Sequence, residues 1–277
     1  MPAPDRYAVI GHPIAHSRSP QIHALFAQQT GQNIAYGALD VPPQDLAPRV
    51  REFFATGGRG LNVTVPHKEA VLALSATLSA RARTAGAANT LLQDAARQLI
   101  ADNTDGAGLV RDLTHNLRIA VGGRRVLLLG AGGAARGVLA PLLELKPRAL
   151  VIANRGMERA LALAHAFAAL GPVHAAGFAQ LDGECFDLII NATAASMQAQ
   201  VPPLPLSVLG ATTICYDLGY AGSDTRFMLW AREHGAAQAH MGLGMLVEQA
   251  AESFYLWRGV RPDTAPVLSV LAAQISP

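Results

Sequence analysis

Lysine is almost missing from this chain. Of its 22 basic residues only two are lysines, Lys68 and Lys146, and the rest are arginines. Charged residues of either sign make up 15% and aromatic residues 5%. The formal net charge is +2 over 277 residues, with the arginines scattered. That leaves no basic stripe suited to nucleic acid and no Lys/Arg cluster suited to a membrane surface. Two cysteines, Cys185 and Cys215, have no CxxC spacing, which excludes a disulfide framework. Both read as small core residues in strand-like surroundings of a cytoplasmic protein. Long uncharged apolar runs are missing too. Arg124, Arg125, Arg136 and Glu144 cut the longest ones, so no segment is expected to span a bilayer. The opening "MPAPDRYAVIGHP" puts Pro, Asp and Arg where a signal peptide needs a basic end and an unbroken apolar core. His12, His16 and His23 come nearest to a metal cluster. Pro13 interrupts their helical spacing and no Cys or carboxylate completes a set, so no metal is expected.

What is present is a large apolar fraction, 51%, in a length comfortable for two domains. The first hundred residues alternate strand-like and helix-like segments. "RYAVIG", "IAYGALDV" and "RGLNVTV" read as strands. "SPQIHALFAQQTG" reads as a helix capped by Ser19 with Pro20 in its first turn, and "PQDLAPRVREFFATGG" as a second helix. The segment after Pro66 is expected to run as a helix to about Ala82. The rhythm predicts a mainly parallel sheet covered by helices. A second unit begins near residue 105. "GLVRDLTHNL" reads as helix, then "RRVLLL", "ALVIANR", "FDLIINAT" and "TTICYDLGY" as strands, with "MERALALAHAFAAL" as a helix among them. That is the βαβαβ order of a nucleotide-binding sheet. The tail from Gly242 holds two further helices, "MLVEQAAESFYLW" and "PVLSVLAAQI".

"VLLLGAGGAARG" supplies Gly130, Gly132 and Ala135 as GxGxxA, directly after a strand and opening a helix. The first glycine allows the tight turn, and the second lets a pyrophosphate approach the free N–H groups of the helix start. Where a site for NAD usually ends its second strand in Asp or Glu, this chain has Asn154 and Arg155, with Arg159 one turn on. Guanidinium groups without a carboxylate suit the 2′-phosphate of NADP. The alternative is a pair of surface arginines in an arginine-rich chain. Lys68, in "GLNVTVPHKEAV", follows a strand that stops at Pro66. It reads either as a solvated lysine or as a group tuned to give and take a proton, which arginine cannot do. Asp105, in "ADNTDGAG", would be its partner if both line one cleft. His67 beside it reads as a supporting or solvent-facing residue.

The chain resembles the shikimate dehydrogenase family over essentially its whole length. The motifs that carry the resemblance are "SRSP" at 17–20, "NVTVPHK" at 62–68, "GAANTL" at 87–92, "NTDG" at 103–106 and "GAGGAARG" at 130–137. "NR" at 154–155, "YDLGY" at 216–220 and "GLGMLVEQA" at 242–250 complete the set. The resemblance implies an α/β fold with an N-terminal α/β substrate domain, a Rossmann-type dinucleotide-binding domain, and C-terminal helices returning to the first domain. The implied division is 1–104 plus 242–277 for substrate and 105–241 for NADP. It further implies a cytoplasmic monomer or homodimer acting in aromatic amino acid biosynthesis, with reversible NADP-dependent reduction of 3-dehydroshikimate to shikimate.

By motif position, Lys68 and Asp105 would be the catalytic pair. Ser17, Ser19, Thr64, Asn89, Tyr220 and Gln249 would face the substrate. Gly130, Ala131, Gly132, Gly133, Ala134, Ala135, Asn154, Arg155, Arg159, Thr193, Leu218 and Gly242 would face the cofactor. Blander readings exist: Ser17 and Ser19 as turn and cap residues, Asn89 as a loop residue satisfying backbone, Gln249 as an exposed glutamine. Four places depart from the family's usual pattern. Gly156 removes a hydroxyl next to Arg155, Ser196 replaces a glycine, Gly222 replaces a proline, and the segment before "GAANT" lacks the usual acidic residues, so cofactor strictness is open. Relatives that act on quinate or aminoshikimate, and a non-catalytic dinucleotide-binding sensor, are the alternative functions.

Overall fold

The apolar runs become the strands of two six-stranded sheets in a computed structural model, which describes residues 2–195 and 200–275. The first sheet contains β1 (Asp5–Gly11), β2 (Ile34–Asp40), β3 (Gly58–Val63), β4 (Thr77–Leu78), β5 (Thr90–Gln93) and β6 (Leu99–Asp102). Their spatial order is β2-β1-β3-β5-β6-β4. β2, β1 and β3 pair in parallel, as the strand–helix rhythm predicts. β5 then pairs antiparallel with β3 and forms an antiparallel hairpin with β6. Its turn places Arg97 at φ 61°, and the Gln98 N–H donates to Asp94 Oδ1 at 2.8 Å. "DAAR" has no glycine or Asn-Gly to announce such a turn, so the hairpin is silent in the sequence.

Two sequence expectations fail in this half and its neighbour. The helix expected from Pro66 to Ala82 is broken into a 3-10 turn at Ala70–Leu74, strand β4 and a short helix. The cause is competition from the sheet edge: the N–H groups of Ala76 and Ser79 donate to Leu99 O and Ala101 O, each at 2.9 Å, and draw the segment out of helical geometry. Ser79 then caps the short helix, accepting from the Ala82 N–H at 3.0 Å. Cys185, expected in the core, is exposed. Cys215 is buried as expected, and burial pushes its thiol up to about 12.

The second sheet contains β7 (Arg125–Leu129), β8 (Ala149–Ala153), β9 (Val173–Ala176), β10 (Leu188–Asn191), β11 (Ile214–Asp217) and β12 (Gln238–Met241), in the order β12-β11-β10-β7-β8-β9. Every pairing in it is parallel. The direction of winding reverses between β7 and β10, and in open sheets of this kind the ligand crevice lies at that point, at the strands' carboxyl ends.

The helices are α1 (Ser19–Thr30), α2 (Leu46–Ala55), α3 (Ala80–Ala85), α4 (Asp105–Arg111), α5 (Gly133–Glu144), α6 (Met157–Phe167), α7 (Arg226–Glu233), α8 (Leu243–Arg258) and α9 (Thr264–Ala272). α5 and α6 bury Val138, Leu142, Leu163 and Phe167 on one face of the second sheet, and Phe227 and Ala231 of α7 pack on the other. α8 and α9 turn back to α1, where Phe254, Val247 and Val267 pack on Ile22 and Phe26. The return brings Gln249 of α8 to the first sheet's half of the molecule, beside α4.

Candidate active site

Lys68 is held by its neighbours before it meets any partner. His67 is buried, with Nε2 at 2.7 Å from Val41 O, so it supports the loop rather than facing solvent. The Lys68 carbonyl accepts from the Ala88 N–H at 2.7 Å. With its main chain fixed on both sides, the side chain points at Asp105, and Nζ lies 2.6 Å from Oδ2. Asp105 opens α4, where its own N–H donates to Asn103 Oδ1 at 3.0 Å. The side chains are only 13% and 4% exposed. An ion pair taken so far out of water adds little net stability, so its presence calls for another reason. A positioned ammonium beside a carboxylate can deliver a proton and recover one.

Asn89, at the start of β5, ties the pair to the C-terminal helix. Its Nδ2 is 2.8 Å from Thr104 Oγ1, 2.9 Å from Asp105 Oδ1 and 3.0 Å from Gln249 Oε1. Its Oδ1 accepts from the Thr104 N–H at 2.8 Å. It therefore satisfies loop backbone, the blander reading, and also touches Asp105. Gln249 Nε2 donates to Leu246 O at 2.8 Å, so this side chain is oriented from both ends and is not an ordinary exposed glutamine. α8 comes this close because Gly108 of α4 has no side chain. A Cβ there would stand 2.6 Å from Gln249 Cβ.

Ser17 and Ser19 sit where β1's loop enters α1. Ser19 is the first helical residue and not the cap: Arg18 holds the cap position, and the Ser17 Oγ accepts from the Ser19 N–H at 3.3 Å. Arg18 already has helical φ and ψ, so the helix starts one residue before Ser19 could cap it, and the Ser19 side chain is buried. Burial raises the Tyr220 hydroxyl pKa, against hydrogen bonding to the Arg18 main chain and the Ser17 hydroxyl. A tyrosine from the loop after β11 thus reaches Ser17 and the Arg18 main chain. Thr64 follows β3, donating its N–H to Ile10 O at 2.9 Å, with its methyl group against Gly11.

Tyr36 and Asn62 belong to the same group and were not expected. Burial holds the Tyr36 hydroxyl well above its usual pKa, opposed by a hydrogen bond with Ser19, and the hydroxyl donates to Asn62 Oδ1 at 2.7 Å. The signal for Asn62 was a lone amide inside the otherwise apolar "GLNVTV" strand. Tyr36 gave none, since a tyrosine in a strand is ordinary.

The glycine turn lies at the reversal between β7 and β10. Gly130 has φ +103°, and a Cβ on it would stand 3.0 Å from Ala192 O, so no other residue fits. Gly132 opens α5 with no side-chain cap and open space around its Cα, leaving the first N–H groups available. Gly133 touches Lys68: its Cβ would be 2.9 Å from Lys68 Cβ. The start of α5 therefore abuts the catalytic candidate. Ala131 and Ala135 are buried and Ala134 is half-buried. Thr193 follows β10 with its hydroxyl donating to Asn191 Oδ1 at 2.7 Å. Leu218 follows β11, and its carbonyl is 2.5 Å from the point where a Cβ on Gly242 would lie.

At the end of β8, Asn154 Nδ2 donates to Gly156 O at 3.0 Å, and Arg155 is exposed. Arg159 NH2 lies 4.0 Å from Glu69 Oε1. Arg136, a further cation not expected from the sequence, has Nε at 3.6 Å from Glu69 Oε2. That is ion-pair range but too long for a hydrogen bond, and the buried Nε makes none. An open glycine turn at the reversal point, an arginine pair after β8 and no carboxylate on that strand end fit a 2′-phosphorylated dinucleotide. Gly222 is exposed with open space around it, and Ser196 lies outside the described residues.

Among the described residues no group of three or more His, Cys, Asp or Glu is placed to hold a metal ion. His12 pairs with Asp40 at 2.7 Å, while His23 is buried against Tyr36, with ring centroids 4.1 Å apart. No helix of the described residues is long and apolar enough to cross a membrane.

Three family models match the chain. The shikimate dehydrogenase substrate binding domain covers residues 9–91, shikimate / quinate 5-dehydrogenase covers 113–199, and the shikimate 5′-dehydrogenase C-terminal domain covers 242–272. The shikimate dehydrogenase (NADP(+)) of Methylococcus capsulatus is 56% identical over 274 residues, covering 99% of this chain and 98% of that one. That of Alkalilimnicola ehrlichii is 56% identical over 267 residues, covering 96% and 98%. A Thermus thermophilus shikimate 5-dehydrogenase solved with NADP(H) and shikimate superposes with a TM-score of 0.86 at 35% identity, covering 98% of this chain and 99% of that one. An Ael1 enzyme from Pseudomonas putida superposes at 0.88 with 47% identity, covering 96% and 98%.

Proposed function

The chain belongs to the shikimate dehydrogenase family, and we propose that it catalyses the reversible NADP-dependent reduction of 3-dehydroshikimate to shikimate through Lys68 and Asp105. The observation that carries this reading is the nearly buried Lys68–Asp105 pair, 2.6 Å apart, with the start of α5 packed on the lysine stem. The activity and cofactor follow the relatives' names, and the residue roles follow the family's motif positions, with the Lys68–Asp105 contact in their support.

When bound, NADPH supplies the hydride to the substrate carbonyl carbon. Lys68 donates a proton to the oxygen that becomes the hydroxyl, and in the reverse direction receives it. Asp105 holds the ammonium in place, and Asn89 holds Asp105. Ser17 and Ser19, backed by Tyr36 and Tyr220, are positioned to take the substrate carboxylate. Thr64, Asn89 and Gln249 offer neutral donors and acceptors to ring hydroxyls. A site made of such groups rejects analogues that leave them unpaired. The glycine turn at Gly130–Ala135 would hold the pyrophosphate, Asn154, Arg155 and Arg159 would hold the 2′-phosphate, and Thr193, Leu218 and Gly242 would face the cofactor.

On this reading residues 1–104 with 242–277 form the substrate domain and 105–241 the NADP domain. The protein works in the cytoplasm as a monomer or homodimer. The test is an assay crossing shikimate and quinate with NADP and NAD, followed at the absorbance of reduced nicotinamide. Shikimate-dependent reduction of NADP is expected, and no shikimate-dependent reduction of either cofactor would overturn the proposal.

A further inference from the structure

Glu69 stands directly after Lys68, and its carboxylate lies within ion-pair range of two arginines of the other sheet's helices. Arg159 NH2 of α6 is 4.0 Å from one oxygen, and Arg136 Nε of α5 is 3.6 Å from the other. Arg136 also lies against Gly86 on the first sheet's side, since a Cβ at Gly86 would stand 3.3 Å from NH1. Its Nε is buried and has no hydrogen bond. The Glu69 and Arg159 side chains are 46% and 65% exposed, so both can change partners without unpacking a core. A carboxylate therefore reaches across the crevice to one of the cations assigned to the 2′-phosphate.

We infer that Glu69 is a specificity-determining residue that competes with the cofactor's 2′-phosphate for Arg159 and so weakens the preference for NADP over NAD. The inference rests on the proposed phosphate-binding role of Arg155 and Arg159. Two effects share one sign. The phosphate must displace Glu69 from Arg159, and once seated it lies near a carboxylate of like charge. NAD has a hydroxyl at that position and meets neither effect. Exposed ion pairs are weak, so the expected change is several-fold and not orders of magnitude. It should also shrink with added salt, because these charges are open to solvent.

Calorimetric titration of the purified chain with NADP and NAD tests this without turnover. Glu69→Gln keeps the shape and removes the charge. It should tighten NADP binding by about three- to ten-fold at low ionic strength, with NAD changed less than about two-fold. In an Arg159→Gln background the same substitution should lose most of its effect on NADP. Parallel changes for NADP and NAD, or weaker NADP binding in Glu69→Gln, would overturn the inference while leaving the phosphate-clamp reading intact. Parent protein that binds NADP no better than NAD, and is unaffected by Arg159→Gln, would overturn the clamp reading and this inference together.

Discussion

Gly137 of α5 lies so close to Asp105 that a Cβ on it would stand 2.9 Å from Oδ2 and 3.0 Å from the Asn103 amide. The helix that follows the glycine turn is thus packed directly against the carboxylate that holds Lys68. Gly137→Ala should gain helix propensity, on the order of 1 kcal/mol, yet force Asp105 or Asn103 to move. Small misplacements of reacting groups are costly, so turnover should fall about ten-fold or more. Steady-state kinetics alongside a melting curve check this. An alanine variant as active as the parent would mean that α5 yields instead of Asp105.

Lys68→Ala should lower kcat by about 10²-fold or more, the scale of losing a positioned acid–base group. Shikimate affinity should change far less, because the substrate's carboxylate and ring hydroxyls are assigned to other side chains. Unchanged turnover would remove Lys68 from the mechanism. Single-turnover hydride transfer and equilibrium binding of shikimate separate the two quantities.

Arg155→Ala should raise the KM for NADP by about ten-fold, the scale of one charge-assisted hydrogen-bonding group. The KM for NAD should hardly move. Equal effects on both cofactors would argue that Arg155 serves the fold and not the phosphate.

His23 makes stability fall in mild acid. Burial lowers its pKa from 6.5 to about 3. Asn62, its polar neighbour, only partly opposes this, and neither ring nitrogen has a hydrogen-bond partner among the described residues. Below pH 6.5 the unfolded chain takes up a proton that the folded chain refuses, so this group's contribution is intact above that pH. It is lost as pH falls toward about 3, at about 1.4 kcal/mol per pH unit. Asp102, held below its usual range because Arg81, Ser79 and the Asn103 N–H outweigh burial, adds its loss only at lower pH. His23→Phe keeps a ring against Tyr36 and should lose about 2 kcal/mol less between about pH 6.5 and 5 in denaturant titrations. Equal losses in parent and variant would show that another group titrates.

The second sheet was legible because strands buried on both faces read as unbroken apolar runs, as "VLLL", "LVIA", "LII" and "ICY" do. Its edge strands β9 and β12 were not. "VHAA" and "QAHM" are half-exposed and carry no such run. In the first half, β4 was hidden because sheet pairing overrode a helix-like composition, and the β5–β6 hairpin because "DAAR" carries no turn signal. The motifs named Lys68 and Asp105, but 37 positions separate them and only the fold brings them together. Arg136 and Glu69 were illegible for the opposite reason. Two more charges in a chain rich in arginine carry no mark until their partners are seen.

The Asn89 amide nitrogen has two hydrogens and three oxygens around it, from Thr104, Asp105 and Gln249. At any moment one acceptor goes short. A ligand hydroxyl arriving at the Gln249 oxygen would supply the missing hydrogen and let Asn89 keep both of its own on Thr104 and Asp105. Docking a polyol would then steady the Asp105 carboxylate beside Lys68, with no side chain having to turn.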